Sequence, residues 1–295
     1  MEIKYTSFEW AKSTLPKRKS DGNKGSFGRL LMYVGSVKYQ GASHLALESA
    51  LRGGAGYVEV LASGELKKNL LLKFPEVIYK DFPEADKLSD SDIDALVLAS
   101  SKASVTLVGC GLGKSVGLTS LIERLLSVEC GILVLDADAI NSMAEDREKM
   151  LRILKESPRR VILTPHPLEF SRLSGLDVQY INGNRTECAK AFSAEHGCTL
   201  VLKGKGTVIT DGGELYINTS GSSALAKAGS GDALAGLLSS LLASSGLSPL
   251  LASAIAVFVH GMAGDNLSKE YSEYGVTPSD LPKEMARVLS RIEKL

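Results

Sequence analysis

Residues 227 to 242 read Lys-Ala-Gly-Ser-Gly-Asp-Ala-Leu-Ala-Gly-Leu-Leu-Ser-Ser-Leu-Leu and place one acid on a small-residue turn. Gly229 and Gly231 permit backbone angles that residues with a Cβ resist, and apolar residues at helical spacing begin immediately after Asp232. The pattern predicts a glycine loop opening a helix. The first amides of a helix lack partners inside it and carry the positive end of its dipole, so a phosphate can settle on such a turn. A carboxylate beside that phosphate can take a proton from a substrate hydroxyl while the amides stabilise charge on the phosphoryl oxygens. The pairing suggests phosphoryl transfer with Asp232 as general base. The competing reading is that Asp232 simply N-caps a buried helix.

Further candidates follow the apolar runs of the chain, because ligands of open parallel sheets bind beyond the carboxyl ends of the strands. Tyr39-Gln40-Gly41-Ala42, Gly109-Cys110-Gly111-Leu112-Gly113, Asp136-Ala137-Asp138 and Thr164-Pro165-His166-Pro167 all occupy such places and, with the Asp232 loop, could line one cleft. Asp136 and Asp138 suit Mg²⁺ or an ordered water, although Asp138 could equally cap a helix over Ala139–Met143. No metal ligand is assigned from spacing alone. His166 is flanked by prolines that fix its loop, which fits a ligand contact or a structural histidine. Lys203-Gly204-Lys205-Gly206-Thr207 offers charge and exposed amides for a nucleotide, and a plain hairpin would use the same glycines. Gly113-Lys114-Ser115 resembles the end of a P-loop, but Val108 stands where the loop needs its first glycine, and the glycines from Gly109 to Gly113 lack dinucleotide-fold spacing.

The elements that must hold these residues alternate. Strand-like runs at Leu30–Gly35, Tyr57–Leu61, Val77–Tyr79, Val105–Gly109, Ile132–Leu135 and Val161–Leu163 are separated by helical patterns near Ala42–Arg52, Glu65–Leu72, Ser91–Ser101, Gly117–Leu126 and Arg147–Lys155. The alternation predicts an α/β fold with a mostly parallel central sheet covered on both faces. A helix near Asn182–His196 leads to Thr199–Leu202 and then to short antiparallel strands at Thr207–Thr210 and Leu215–Ile217. From Ala233 to Gly264 no charged side chain occurs, yet serines, Gly246 and Pro249 divide the stretch into two core helices rather than a membrane span. An amphipathic helix near Ser279–Ile292 follows. Residues 1–21 read as an arm or short helix, and no linker interrupts residues 1–295, so one domain is expected.

Composition narrows the partners. Lys plus Arg and Asp plus Glu each number 34 in 295 residues, so no global field favours nucleic acid, and a small-molecule partner is expected. Cys110, Cys130, Cys188 and Cys198 show no metal spacing and read as reduced thiols of a cytoplasmic protein, and the amino terminus carries no secretory signal.

The joint order Asn23-Lys-Gly-x-x-Gly28, Gly41-Ala42, Gly111-Leu-Gly113, Asp136-Ala-Asp-Ala-x-Asn141, Thr164-Pro-His-Pro, Leu202-Lys-Gly204 and Ala228-Gly-Ser-Gly-Asp232 resembles the ADP/ATP-dependent NAD(P)H-hydrate dehydratases of the ribokinase-like superfamily over about residues 20 to 290. The resemblance implies a three-layer α/β sandwich and a repair reaction, in which hydrated NADHX or NADPHX loses water as a nucleotide is hydrolysed. It implies Asp232 as the base; Ala42, Gly113, His166 and Asp232 at the hydrated dinucleotide; and Lys203, Gly204, Lys205, Gly206, Thr207, Gly229 and Gly231 at the adenine nucleotide. Mg²⁺, ADP or ATP with ADP favoured, a homotetramer, and no fused epimerase domain are implied in the same way. Asn23, Leu168 and Ser222 depart from the family pattern. Two alternatives stay open: a ribokinase-like small-molecule kinase and a nucleotide sensor without turnover.

Overall fold

Unbroken apolar runs, rather than alternation, mark the central strands, because both faces of the sheet are covered. Along Arg29–Tyr33, Leu30 and Met32 enter one core while Leu31 and Tyr33 enter the other. The computed structural model describes residues 2–294. Its strands are β1 (Ile3–Tyr5), β2 (Arg29–Tyr33), β3 (Tyr57–Ala62), β4 (Ile78–Asp81), β5 (Val105–Val108), β6 (Ile132–Leu135), β7 (Val161–Leu163), β8 (Thr199–Leu202), β9 (Val208–Thr210) and β10 (Leu215–Ile217). They form one sheet in the order β1-β10-β9-β8-β7-β6-β5-β2-β3-β4. Only β9 runs against its neighbours.

On one face lie α1 (Phe8–Thr14), α2 (Gln40–Arg52), α3 (Gly64–Leu71) and, from the end of the chain, α11 (Ser230–Ser244), α12 (Pro249–Gly275) and α13 (Leu281–Lys294). The other face carries α4 (Asp90–Ser100), α5 (Val116–Leu126), α6 (Asp138–Glu145), α7 (Arg147–Glu156), α8 (Pro167–Ser174), α9 (Val178–Gly183) and α10 (Arg185–His196). The expected mostly parallel, three-layer α/β architecture is therefore the observed one. The charge-free stretch divides at residues 245–248 into α11 and α12. α12 is long and apolar enough to cross a bilayer, but 78% of its most apolar window is buried within the protein.

α2 and α11 pack backbone to backbone. A Cβ at Gly236 would lie 2.1 Å from the Ala46 carbonyl oxygen, and one at Gly53 would lie 2.6 Å from Ser240 Cβ, so only glycine allows this approach.

Three local expectations change. Residues 1–21 hold the expected short helix, α1, but Ile3–Tyr5 before it is an edge strand parallel to β10, held on by Thr6, whose amide donates to Ile217 O at 3.1 Å and whose hydroxyl donates to Asn218 Oδ1 at 3.0 Å. The single helix expected near Asn182–His196 is the end of α9 followed by α10, divided at Asn184 (φ −133°, ψ 42°). Pro165-His166-Pro167 does not form a mere loop: Pro167 occupies the first turn of α8.

Candidate active site

Gly229 starts α11 with φ 99°, and a Cβ there would lie 2.4 Å from Leu45 Cδ1, so its turn requires glycine on two counts. No side chain caps this helix, which removes the capping reading of Asp232. Asp232 stands in the first turn, half-buried. Behind it, His260 of α12 lies with Nε2 3.0 Å from Ser230 O, tying the turn to the core. Burial lowers the His260 pKa to about 4, so this imidazole is neutral.

Asp136 follows the last residue of β6 and is buried. Its Oδ1 accepts from Thr164 Oγ1 at 2.6 Å and from Lys203 Nζ at 2.8 Å, while Cys110 Sγ donates to Oδ2 at 3.5 Å. Burial opposes the Lys203 ammonium, but the charges of Asp136 and Glu169 outweigh it and hold the pKa above the ordinary lysine value. One ligand atom each from Cys110, Asp136 and Asp232 lies within 4.8 Å of the others. Burial first, then the Asp136 charge, raises the Asp232 pKa to about 7, with Lys203 pulling the other way. Burial, together with both carboxylates, keeps Cys110 a protonated thiol.

Between the two acids of the β6 turn, Ala137 has φ 47° and ψ −111°, a conformation that costs a residue with a Cβ about 1–3 kcal/mol. The bend aims the flanking side chains at different partners, with Asp136 taking Lys203 and Asp138 Oδ2 accepting the Gly113 amide at 2.8 Å. Asp138 is thus a tether for the glycine turn rather than a cap. That turn also leans on α2, because a Cβ at Gly111 would lie 2.6 Å from Ala42 Cβ. Around Gly41 and Gly113 no atom comes within 4 Å of a Cβ position, leaving open space on the ligand side.

Lys203 joins the remaining pieces. Its Nζ lies 3.3 Å from where a Gly231 Cβ would stand, and its amide donates to Pro165 O at 2.9 Å. Gly204 (φ 142°) and Gly206 (φ 65°) bend the connection from β8 to β9, and Thr207 Oγ1 donates to Gly204 O at 2.9 Å. The segment is therefore a hairpin that also reaches the α11 turn; Gly204 and Lys205 are exposed and Thr207 is buried. His166 is the N-cap of α8: its Nδ1 accepts from the amides of Leu168 and Glu169, and Glu169 Oε2 accepts from the His166 amide at 2.9 Å. Burial and Lys203 lower its pKa. The neutral ring leaves its Nε2–H edge 3.2 Å from Glu169 Oε1, with 47% of the side chain exposed.

The near P-loop is no P-loop. Ser115 Oγ accepts from Leu118 N as the cap of α5, and Lys114 pairs with Glu145. Cys110, in the segment expected to line the site, lies among the acids with its thiol as their partner. One contributor escaped the sequence pattern: Arg185 of α10 braces the hairpin by donating to Leu202 O at 2.7 Å and to Lys203 O at 3.1 Å. For Arg185 no sequence signal exists, since one arginine at the start of an ordinary helix carries none.

Residues 30–287 match the model of the NAD(P)H-hydrate dehydratase family. The ADP-dependent (S)-NAD(P)H-hydrate dehydratase of Bacillus subtilis is 30% identical over 295 residues, covering 99% of this chain and all of that one. A crystal structure of the Bacillus subtilis ADP/ATP-dependent NAD(P)H-hydrate dehydratase, co-crystallised with ATP/Mg²⁺, matches with a TM-score of 0.85 at 28% identity over 99% of this chain and 100% of that one. A ribokinase-like superfamily protein of Enterococcus faecalis V583 matches with a TM-score of 0.86 at 27% identity over 99% and 97% of the two chains. The bifunctional NAD(P)H-hydrate repair enzyme of Moorella thermoacetica is 35% identical over 97% of this chain, which spans 53% of that protein's length. The fold is ribokinase-like, and the chain belongs to the NAD(P)H-hydrate dehydratase family.

Proposed function

We propose that the chain is a hydro-lyase that dehydrates NADHX and NADPHX to NADH and NADPH at the expense of ADP or ATP, with ADP favoured by its likeness to ADP-dependent relatives. The observation that supports this reading best is the half-buried Asp232, its pKa raised to about 7, in the first turn of a helix opened by Gly229 and beside Lys203. A base of that pKa is matched to neutral pH. Asp232 would accept the proton of the hydrate hydroxyl as its oxygen attacks the terminal phosphorus of the nucleotide, releasing AMP or ADP. The C–O bond of the resulting phosphate ester then breaks as the neighbouring carbon loses a proton, which releases phosphate and restores the dihydronicotinamide.

In this reading the free amides at the start of α11 and the Lys203 ammonium would hold the phosphates, with the exposed turn of Gly204, Lys205 and Gly206, backed by Thr207, along the nucleoside. Ala42, Gly113 and the Nε2–H edge of His166 would line the dinucleotide side. Mg²⁺ bound to the nucleotide would neutralise its phosphate charge. The residues fit a phosphate-held ion better than a protein cage. Asp136 is already committed to Lys203, the thiol of Cys110 is a soft ligand, and only Asp232 among the three has a carboxylate without a strong partner. One domain, a homotetramer and a cytoplasmic setting belong to the same reading; the four free cysteines support a reducing compartment, and mass photometry tests the assembly.

The test is direct. Purified protein with ADP and Mg²⁺ should convert NADHX to a species absorbing in the reduced-nicotinamide band, with phosphate released in equal amount. A stable phosphate ester without recovery of that band would make the protein a kinase instead, and neither product would refute turnover.

A further inference from the structure

α11 carries Asp232 at one end and, about 18 Å along its axis, forms part of the wall of a second cavity near Ser244. This cavity has a volume of about 440 Å³ and lies between the segment after α1, the end of α2 and the last helices of the fold. Four exposed cations face it: Lys17, Arg18, Lys19 and Arg52. None of the four forms a side-chain ion pair among the described residues, in a chain whose acids and bases balance overall. One acid, Glu293, also lines the cavity and accepts from the Arg18 backbone amide at 3.4 Å.

Arg18 is preset. Its guanidinium lies 3.5 Å from the centroid of the Phe27 ring and donates to Gly54 O at 2.7 Å, an arrangement that fixes the group without neutralising its charge. Leu241 and Leu289 supply apolar lining. A recess in the size range of small-ligand sites that sets four cations against a single acid, beside an apolar wall, suits a compact anion bearing an organic group.

We propose that this cavity binds a small phosphorylated metabolite with an apolar moiety, at a site separate from the catalytic turn. Its phosphate sits among Lys17, Arg18, Lys19 and Arg52, and its organic part lies against Leu241 and Leu289. The proposal does not depend on the dehydratase reading, since the two sites share no residue and lie at opposite ends of α2 and α11.

Calorimetric titration of the full chain with 1-naphthyl phosphate, in saturating ADP so that the nucleotide turn is filled, tests it. One site is expected, unchanged in Asp232→Asn and at least about tenfold weaker in Lys17→Glu/Arg52→Glu, because each lost charge-assisted contact is large. Inorganic phosphate should bind more weakly than the naphthyl ester. A Lys17→Gln/Arg52→Gln variant with the parent melting temperature should show the same direction of loss and guards against misfolding of the reversed pair. Absence of binding, equal affinity for both probes, loss of the signal in Asp232→Asn, or full affinity in both double variants would each overturn the proposal.

Discussion

Asp136 and Asp232 bring carboxylate oxygens within 4.8 Å of each other, and their surroundings make them different reagents. Asp136 is buried, with a lysine, a threonine and a thiol as partners, so its charge is spent inside the protein. Asp232 is half-buried with fewer and weaker partners, the Lys203 charge and the Cys110 thiol, and burial and then the charge of Asp136 raise its pKa to about 7. The buried acid therefore serves two ends, holding Lys203 in place and disfavouring a second negative charge nearby. What separates a structural carboxylate from a reactive one here is the count of donors around it.

Removing each acid should break different properties. Asp232→Asn should lower kcat by about 10²–10⁴, the usual contribution of a general base, with nucleotide affinity little changed; steady-state kinetics beside ADP titration would reveal it, and an undiminished kcat would remove Asp232 from the reaction. Asp136→Ala instead leaves the half-buried Lys203 ammonium without its ion-pair partner, so a stability loss of about 3 kcal/mol is expected in urea unfolding. Equal stability of the two variants would erase the contrast.

The pH dependence sharpens the same comparison. kcat/KM should climb as Asp232 loses its proton, with a midpoint near 7, and a profile flat from acid to neutral would deny it the role of base. Stability should move the other way. The Asp232 pKa in the folded protein lies above its value of 3.8 in the open chain, so between about 4 and 7 the folded state holds a proton that the unfolded chain releases, and stability falls as pH rises through that window. Asp232→Asn should accordingly raise the melting temperature more in mild base than in mild acid. The smallest effect is expected at His166: His166→Ala should raise the KM for NADHX about two- to tenfold, one hydrogen bond's worth, with kcat nearly intact. The same variant loses the cap of α8, at about 1 kcal/mol.

Much of this contrast was legible in the chain. The glycine turn before Asp232 announces itself through local backbone demands, and the strands at Val161–Leu163, Thr199–Leu202 and Leu215–Ile217 coincide with their apolar runs because they are buried on both sides or bounded by glycines. The pairing of Asp136 with Lys203 was not legible, since 67 residues separate them and only the neighbouring strands β6, β7 and β8 bring them together. β1 was hidden for the opposite reason: three exposed residues carry no pattern, and the strand exists because β10 offers it an edge. α8 could have been read. Pro167 at the first helical position and Glu169 three residues after His166 form a capping-box pattern with histidine in the place usually taken by serine or threonine.

The glycine contacts between α2 and α11 carry a last consequence. Ala42 near the start of one helix and Asp232 near the start of the other are fastened to a single rigid block, because Gly236 and Gly53 bring the two backbones into direct touch. The distance between these two positions is then gauged by a fixed caliper. The β8–β9 hairpin and the cap of α8, on the other side of Asp232, hang from shorter elements.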